Sequence, residues 1–340
     1  MASMKTLRLI LGDQLNHQHS WFEKTDSEIS YVLMEVRQET DYVPHHIQKV
    51  AGFFASMRAF ANEMQEKGHD IIYWKLDDTK NKQSIPENIN SLIEKGDYEK
   101  FEYQLPDEYR LDEQLNEYCQ TLNIEWQAVD SEHFYTTREE LASFFEGKKT
   151  YLMESFYRHM RKKHDVMMDG KDPVTGQWNY DKDNRKKLPD SVTIPERNSR
   201  TNDVSEIVEM IQSAGVKTIG SIDAQKYRWP ITRREALADL DIFCKRFLKN
   251  FGDYQDAMTT RTAFSFHSLV SFAMNVKLIS PQEVVNTVVN YWHEHTDEVD
   301  ISSVEGYVRQ IIGWREYMRG IYWAKMPEYA TLNHLDHSRK

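Results

Sequence analysis

The feature that most constrains this sequence is a change of hydrophobic period part-way along it. Five short apolar runs recur up to Val129, LRLILG (7–12), YVLMEV (31–36), IIYWKL (71–76), FEYQL (101–105) and IEWQAV (124–129), with helical patterns between several of them. Between the second and third, Val50, Phe53, Phe54, Met57, Ala61 and Met64 fall at helix spacing, with Pro44 placed to start the helix and Gly68 to stop it. Strands alternating with helices predict an α/β, doubly wound parallel sheet. From about residue 200 the apolar positions repeat at three to four residues, as in EALADLDIFCKRFLKNFG and PQEVVNTVVNYWHEH, so an all-α domain with no strand is expected. A polar, Gly- and Asp-rich stretch over 164–205 is too long for an ordinary loop. The boundaries that follow are an α/β domain at 1–150, a crossing at 151–205 and a helical domain at 206–340.

Ligands of doubly wound sheets sit outside the carboxyl ends of the strands, which points to Gly12, Asp13, Glu35 and the loop around Asp107 and Glu108. The plain alternative is that Asp13 and Glu35 cap strand ends. No GxGxxG is present, which excludes the usual dinucleotide cradle. Charge separates the two parts: 16 Lys and Arg stand against 28 Asp and Glu in residues 1–150, and 27 against 26 in the remainder. A polyanion would therefore meet the second part, where RHMRKK (158–163), NRKK (184–187) and YRWPITRR (227–234) are basic. Solvated surface is an equally good account of those runs. Cys119 and Cys244 lie far apart and outside any CxxC spacing, so no disulfide framework or metal site is read within this chain, and a reducing, cytoplasmic setting fits. With no signal-like start and no long apolar stretch, no membrane partner is expected.

Two segments of the helical part carry more polar chemistry than a core needs. RTAFSFHSLVSFAMNVKLISPQEVV (261–285) offers Ser265, Ser268, Ser271 and His267, either as ordinary caps or as hydroxyls for a phosphate at a helix start. RQIIGWREYMRGIYW (309–323) sets Gln310, Arg315, Glu316 and Arg319 among residues that a helix would bury, and its Trp314 and Trp323 read first as core anchors.

Taken in order, NFGDYQDAM, FSFHSLVSF with NVKLISPQEVV, and RQIIGWREYMRG resemble the flavin-binding helical domain of the photolyase and cryptochrome superfamily. LRLILGDQLN, MEVRQETDYVPHH and ESFYRHMRKK with GQWNYDKDNR are similar to its iron–sulfur, photolyase-related branch, and the resemblance runs from about residue 7 to 330. It implies FAD held by Tyr254, His267, Ser268, Leu269, Ser271 and Gln310, and a 6,7-dimethyl-8-ribityllumazine antenna held by Gly12, Asp13, Glu35, Glu39, Tyr42 and Glu108. It also implies Trp314 as the catalytic residue that stacks or relays electrons, and Arg158, Arg161, Lys162, Lys163, Arg315 and Arg319 at UV-damaged DNA. The implied reaction is light-driven electron transfer from reduced FAD to a pyrimidine (6-4) photoproduct in a monomeric enzyme. Family members continue into a region that supplies a four-iron four-sulfur cluster and further flavin contacts. The present sequence ends at HLDHSRK, so a fragment inactive by itself is expected, with aromatic surface exposed around Trp314, Phe266 and Phe272. The alternatives are a cryptochrome-like photoreceptor without repair activity and a non-enzymatic interaction module.

Overall fold

The computed structural model describes residues 4–197, 200–333 and 335. The chain forms two compact units, one of Met1–His133, Arg197–Asp239 and Val270–Ile279, the other of Phe134–Glu196, Leu240–Leu269 and Ser280–Lys340. They do not follow linear boundaries at 150 and 205, because two later segments return to the α/β unit.

The α/β unit is built on five strands, β1 (Thr6–Leu9), β2 (Ile29–Met34), β3 (Asp70–Trp74), β4 (Lys100–Gln104) and β5 (Glu125–Val129), in the order β3-β2-β1-β4-β5. Every pairing in that sheet is parallel. Parallel strands need long crossovers and are covered on both faces, which is why they read in sequence as nearly continuous apolar runs. On one face Leu7, Leu9, Val32, Met34, Phe101 and Tyr103 meet Ile85 and Ile89 of helix α2 (Ile85–Gly96) and Leu111 and Leu115 of helix α3 (Tyr109–Cys119). Helix α1 (Ile47–Glu66) packs against β3 and buries Val50, Phe54, Met57, Ala61 and Met64. It starts three residues beyond Pro44. His46 caps it, its ring accepting from the Gln48 N–H, and His45–His46 first pairs with the two-residue strand Thr218–Ile219. That short strand lies in the stretch expected to hold none. Gly68, with φ of +91°, ends the helix as its position predicts.

Glu35, directly after β2, has none of its surface exposed. Its carboxylate accepts from Arg58 Nε at 2.7 Å and Nη2 at 3.1 Å, from the Tyr73 hydroxyl at 2.7 Å and from the Leu76 N–H at 2.9 Å. Four donors satisfy a charge that would otherwise be costly in this interior. They fasten the end of β2 to β3 and α1.

Among the described residues the second unit is built from helices and irregular chain, with one small antiparallel pair, Met168–Asp169 with Asp172–Pro173. Helix α4 (Met153–Lys163), α5 (Leu248–Tyr254) and α6 (Pro281–Glu294) surround a rod that runs from α7 (Ile301–Val308) through a π-helical stretch, Arg309–Arg315, into α8 (Glu316–Lys325). Ser280 and Glu283 close a capping box on α6, with Pro281 in the first turn, and the Asp300 carboxylate caps α7. Gly252 lets α5 approach α7 closely: a Cβ there would lie 2.7 Å from the Ser303 Cα. The irregular chain after α4 is gathered by Arg161, which is 1% exposed and donates to the carbonyls of Val166, Trp178 and Met167.

Replacing Glu35 with Ala removes the buried carboxylate on which Arg58, Tyr73 and the Leu76 N–H converge and leaves the partly buried Arg58 guanidinium only the exposed carboxylate of Glu206, at 3.3 Å. Urea denaturation of that variant should show a loss of about 3–5 kcal/mol; a loss below about 1 kcal/mol would mean that the network does not carry the end of β2.

Candidate functional site

The carboxyl ends of the strands open onto a cavity of about 230 Å³ within the α/β unit. β1 and β4 are neighbours, and the connections that leave them diverge there, which is where such sheets hold ligands. The floor is apolar, formed by Leu9, Leu11, Met34, Val36, Phe54 and Met57 among others. Gly12 brings backbone up to it, and a Cβ at Gly12 would lie 3.0 Å from the Met57 sulfur and 3.4 Å from Phe53. Around the rim stand Asp13, Glu39, Thr40, Tyr42, His45, Lys49 and Glu108.

The rim charges are tied to one another. Arg110 donates to Glu39 at 3.0 Å and to Glu108 at 2.8 Å, and its guanidinium lies 4.4 Å from the centre of the Tyr42 ring. Burial alone would lower the affinity of Arg110 for its proton, but those carboxylates raise it, so it stays charged. Burial, then Glu108 and Glu39, push the Tyr42 hydroxyl above its ordinary range, so it remains a donor. Lys49 reaches the His45 ring at 3.2 Å, and burial together with Lys49 lowers the His45 pKa. Asp13 is raised by burial and by Asp107, against the lowering effect of Lys277.

Of the residues expected at an antenna, Gly12, Asp13, Glu39, Tyr42 and Glu108 are brought together around this cavity, and Glu35 is not. Glu35 leaves the same edge of the sheet, but its carboxylate is occupied by Arg58, Tyr73 and Leu76. Lys49 lies outside the quoted motifs, and His45 and Lys277 stand within MEVRQETDYVPHH and NVKLISPQEVV with no local sign that they reach the cavity, because nothing nearby ties them to a strand end.

In the helical unit Tyr254, His267, Ser268, Leu269 and Gln310 lie on α5, the loop that follows it and the π-helical stretch, whereas Ser271 falls in the α/β unit. The loop is tightly wound, with Ser265 and Leu269 at φ of +41° and +61°, and the Ser268 hydroxyl meets the Tyr307 hydroxyl at 2.9 Å. Two buried side-chain oxygens, of Asn184 and Gln255, have no donor among the described residues. Both amides crowd Gly306, where a Cβ would lie 2.6 Å from Asn184 Nδ2 and 3.4 Å from Gln255 Oε1. Buried acceptors of this kind fit a group that brings N–H or O–H donors.

Trp314 stands 41% exposed on the π-helical stretch, edge-on to Tyr317, with Met318 exposed one turn further on. Phe266, expected at the surface, is 1% exposed against the Tyr254 ring, and Phe272 is partly buried near Phe53. Of the expected DNA contacts, Arg158 and Lys162 are exposed beside the Trp178 ring, at 5.5 and 5.2 Å from its centre. Lys163 is exposed and paired with Glu140 at 2.7 Å. Arg161 is not at the surface, because its guanidinium serves three backbone carbonyls. Arg315 and Arg319 lie 4.7 and 3.9 Å from the Phe134 ring centre, and Arg319 donates to the Thr136 carbonyl. Buried Glu316 accepts from the Thr136 hydroxyl at 2.7 Å, so these residues hold the segment 134–136 against the rod.

Among the described residues no helix is long and apolar enough to cross a membrane, and no cluster of three or more His, Cys, Asp or Glu is arranged for a metal ion.

A family model described as deoxyribodipyrimidine photo-lyase-related protein matches residues 8–227. A relative from Agrobacterium fabrum (strain C58 / ATCC 33970), named (6-4) photolyase, is 32% identical over 339 residues, 99% of this chain and 66% of that one. The chain thus spans about two thirds of that relative's length. An uncharacterized protein of Acanthamoeba polyphaga mimivirus is 26% identical over 199 residues, 56% of this chain and 99% of its own length. The crystal structure of a bacterial class III photolyase from Agrobacterium tumefaciens matches with a TM-score of 0.61 at 14% identity, covering 98% of this chain and 61% of that one, which supports the fold. The family model spans more than half of the chain, and the chain belongs to the deoxyribodipyrimidine photo-lyase-related protein family.

Proposed function

We propose that this chain works in light-driven repair of a pyrimidine (6-4) photoproduct in DNA, with a ribityl-lumazine antenna in the α/β unit and FAD at the helical unit. The observation that carries the antenna is the cavity itself: an apolar floor, a tyrosine on the rim, and the carboxylates of Asp13, Glu39 and Glu108. A flat, neutral heterocycle with a polyhydroxylated tail finds contact area on the floor and acceptors around it. A phosphorylated ligand would bring negative charge against three acids, with Arg110 already held by two of them.

For FAD, the candidate holding residues are Tyr254, His267, Ser268, Leu269 and Gln310, and the buried oxygens of Asn184 and Gln255, which have no donor among the described residues, extend that set. Bound and reduced, FAD supplies an electron on absorbing light. This chain's own part is to hold the lesion. Trp314 offers an exposed aromatic face on which an extruded base stacks, and Arg158 and Lys162 offer backbone contacts. The relative's name supports the (6-4) lesion as substrate.

Added 6,7-dimethyl-8-ribityllumazine should bind, and flavin mononucleotide should bind at least about tenfold more weakly, because like charges repel across a partly buried rim. Replacing Gly12 with Val fills the floor beside Met57 and should reduce lumazine binding by a similar factor. Equal affinity for both ligands, or full binding by the Val variant, would move the antenna elsewhere. Repair is read by illuminating the reduced, flavin-loaded protein with an oligonucleotide that carries one (6-4) lesion. Loss of the lesion would show that this chain repairs by itself and overturn the expectation that it is inactive alone; flavin loading without that loss agrees with the expectation and moves the test to a protein of the relative's full length.

Changing Arg158 and Lys162 together to Gln should weaken DNA binding alike for all sequences. It should also flatten the dependence of log K on log salt by roughly 2, at about 0.9 per duplex phosphate contact. An unchanged slope would remove them from the DNA surface.

A further inference from the structure

We propose that Lys277 is the positioning residue of the cavity, holding the Asp13 and Asp107 loops together so that the Asp13 side chain is presented to a neutral, hydroxyl-bearing ligand. The ligand class rests on the function proposed above, whereas the geometry does not. Lys277 is 2% exposed. Its ammonium donates to the Asp13 carbonyl at 2.7 Å and to Asp107 Oδ2 at 2.5 Å, and lies 3.7 Å from Asp13 Oδ2. Asp13 lines the cavity after β1, and Asp107 sits between the lining residues Pro106 and Glu108 after β4. One buried cation therefore joins the two connections that diverge around the cavity. The segment is fixed there a second time, because the Leu15 N–H donates to the Val276 carbonyl at 3.1 Å.

The backbone makes the same point independently. Lys277 has a φ of +64°, a conformation that glycine adopts freely and other residues adopt at a cost. Strain of this kind persists where surrounding contacts over-determine it and collects at functional positions. What a lysine adds here that a glycine lacks is the ammonium. That ammonium also governs the charge of Asp13: burial raises the Asp13 carboxyl, Asp107 and Glu39 add to the rise, and Lys277 opposes it. The remaining charged or titratable rim groups are Glu108, Lys49, His45 and Tyr42, with Arg110 clamped between Glu39 and Glu108. Lys277 thus keeps Asp13 an acceptor for hydroxyl groups to lower pH than its surroundings would otherwise allow.

The test compares the full chain with its Lys277→Gly, Lys277→Met and Lys277→Arg variants. One readout is affinity for 6,7-dimethyl-8-ribityllumazine, followed by its fluorescence across a pH series. The other is titration of the Asp13 carboxyl carbon by 13C NMR in ligand-free protein, assigned with Asp13→Asn. Lys277→Gly suits the backbone, so it should fold while binding lumazine about tenfold more weakly, the loss expected on removing a charged hydrogen-bond partner. Its Asp13 titration and its binding midpoint should both move to higher pH. Lys277→Arg should restore part of each, and Lys277→Met, which keeps the bulk, supplies the comparison if the glycine variant does not fold. Wild-type affinity together with an unshifted Asp13 titration in the variants that lack the ammonium overturns the assignment. If the wild type binds no lumazine while the Asp13 titration still shifts, the antenna reading fails and the positioning role of Lys277 stands.

Discussion

An excess of acid has to be accommodated at one edge of a parallel sheet, and the α/β unit is arranged around that requirement. The connections that leave β1, β2 and β4 all start at the same edge and carry Asp13, Glu35, Glu39, Asp107 and Glu108. Unpaired carboxylates so close together would repel one another or take up protons. Cations on other elements prevent that: Arg58 on α1 for Glu35, Arg110 on α3 for Glu39 and Glu108, and Lys277 for Asp107. The Arg110 and Lys277 pairs hold the loops that surround the cavity against the mutual repulsion of their carboxylates.

The pairs differ in what they leave for a ligand. Glu35 has all its neighbours supplied by the protein and is closed to anything else. Asp13 is about one-third exposed, Arg110 satisfies its partners at the surface, and the Tyr42 ring remains nearly half exposed. Similar side chains at one edge thus divide into a fastening and a recognition surface according to burial.

Much of this architecture is legible in the sequence. Strands covered on both faces are written as apolar runs, and Gly12 and Asp13 follow such a run directly, so their place at the cavity follows from the fold class. Glu35 follows a run in the same way, but what decides its role is Arg58, 23 residues away on a helix face. Lys277 reaches Asp13 across 264 residues, and no local pattern predicts such a contact. Arg161 stands in a basic run beside Arg158 and Lys162 and cannot be told from them until the chain beyond α4 folds back over it. The polar residues of RQIIGWREYMRGIYW have a related explanation. A π-helical stretch displaces the residues after it around the rod, and here it sends Trp314 outward while Glu316 turns in to hold Thr136.

The order in which the chain visits its two units bears on how it can be made. The α/β unit draws on Arg197–Asp239 and Val270–Ile279 as well as the first 133 residues, so the ribosome must release the chain as far as Ile279 before that unit has all its parts. Until Lys277 emerges, Asp107 stands without its cation and the edge that carries the cavity is incomplete. Synthesis and folding are therefore out of step: the strands and the helices α1 to α3 that cover them are made early, while the edge that carries the cavity waits for a later segment. A shortened gene that stops at the end of β5 encodes all five strands and would still yield a chain unable to close its own edge.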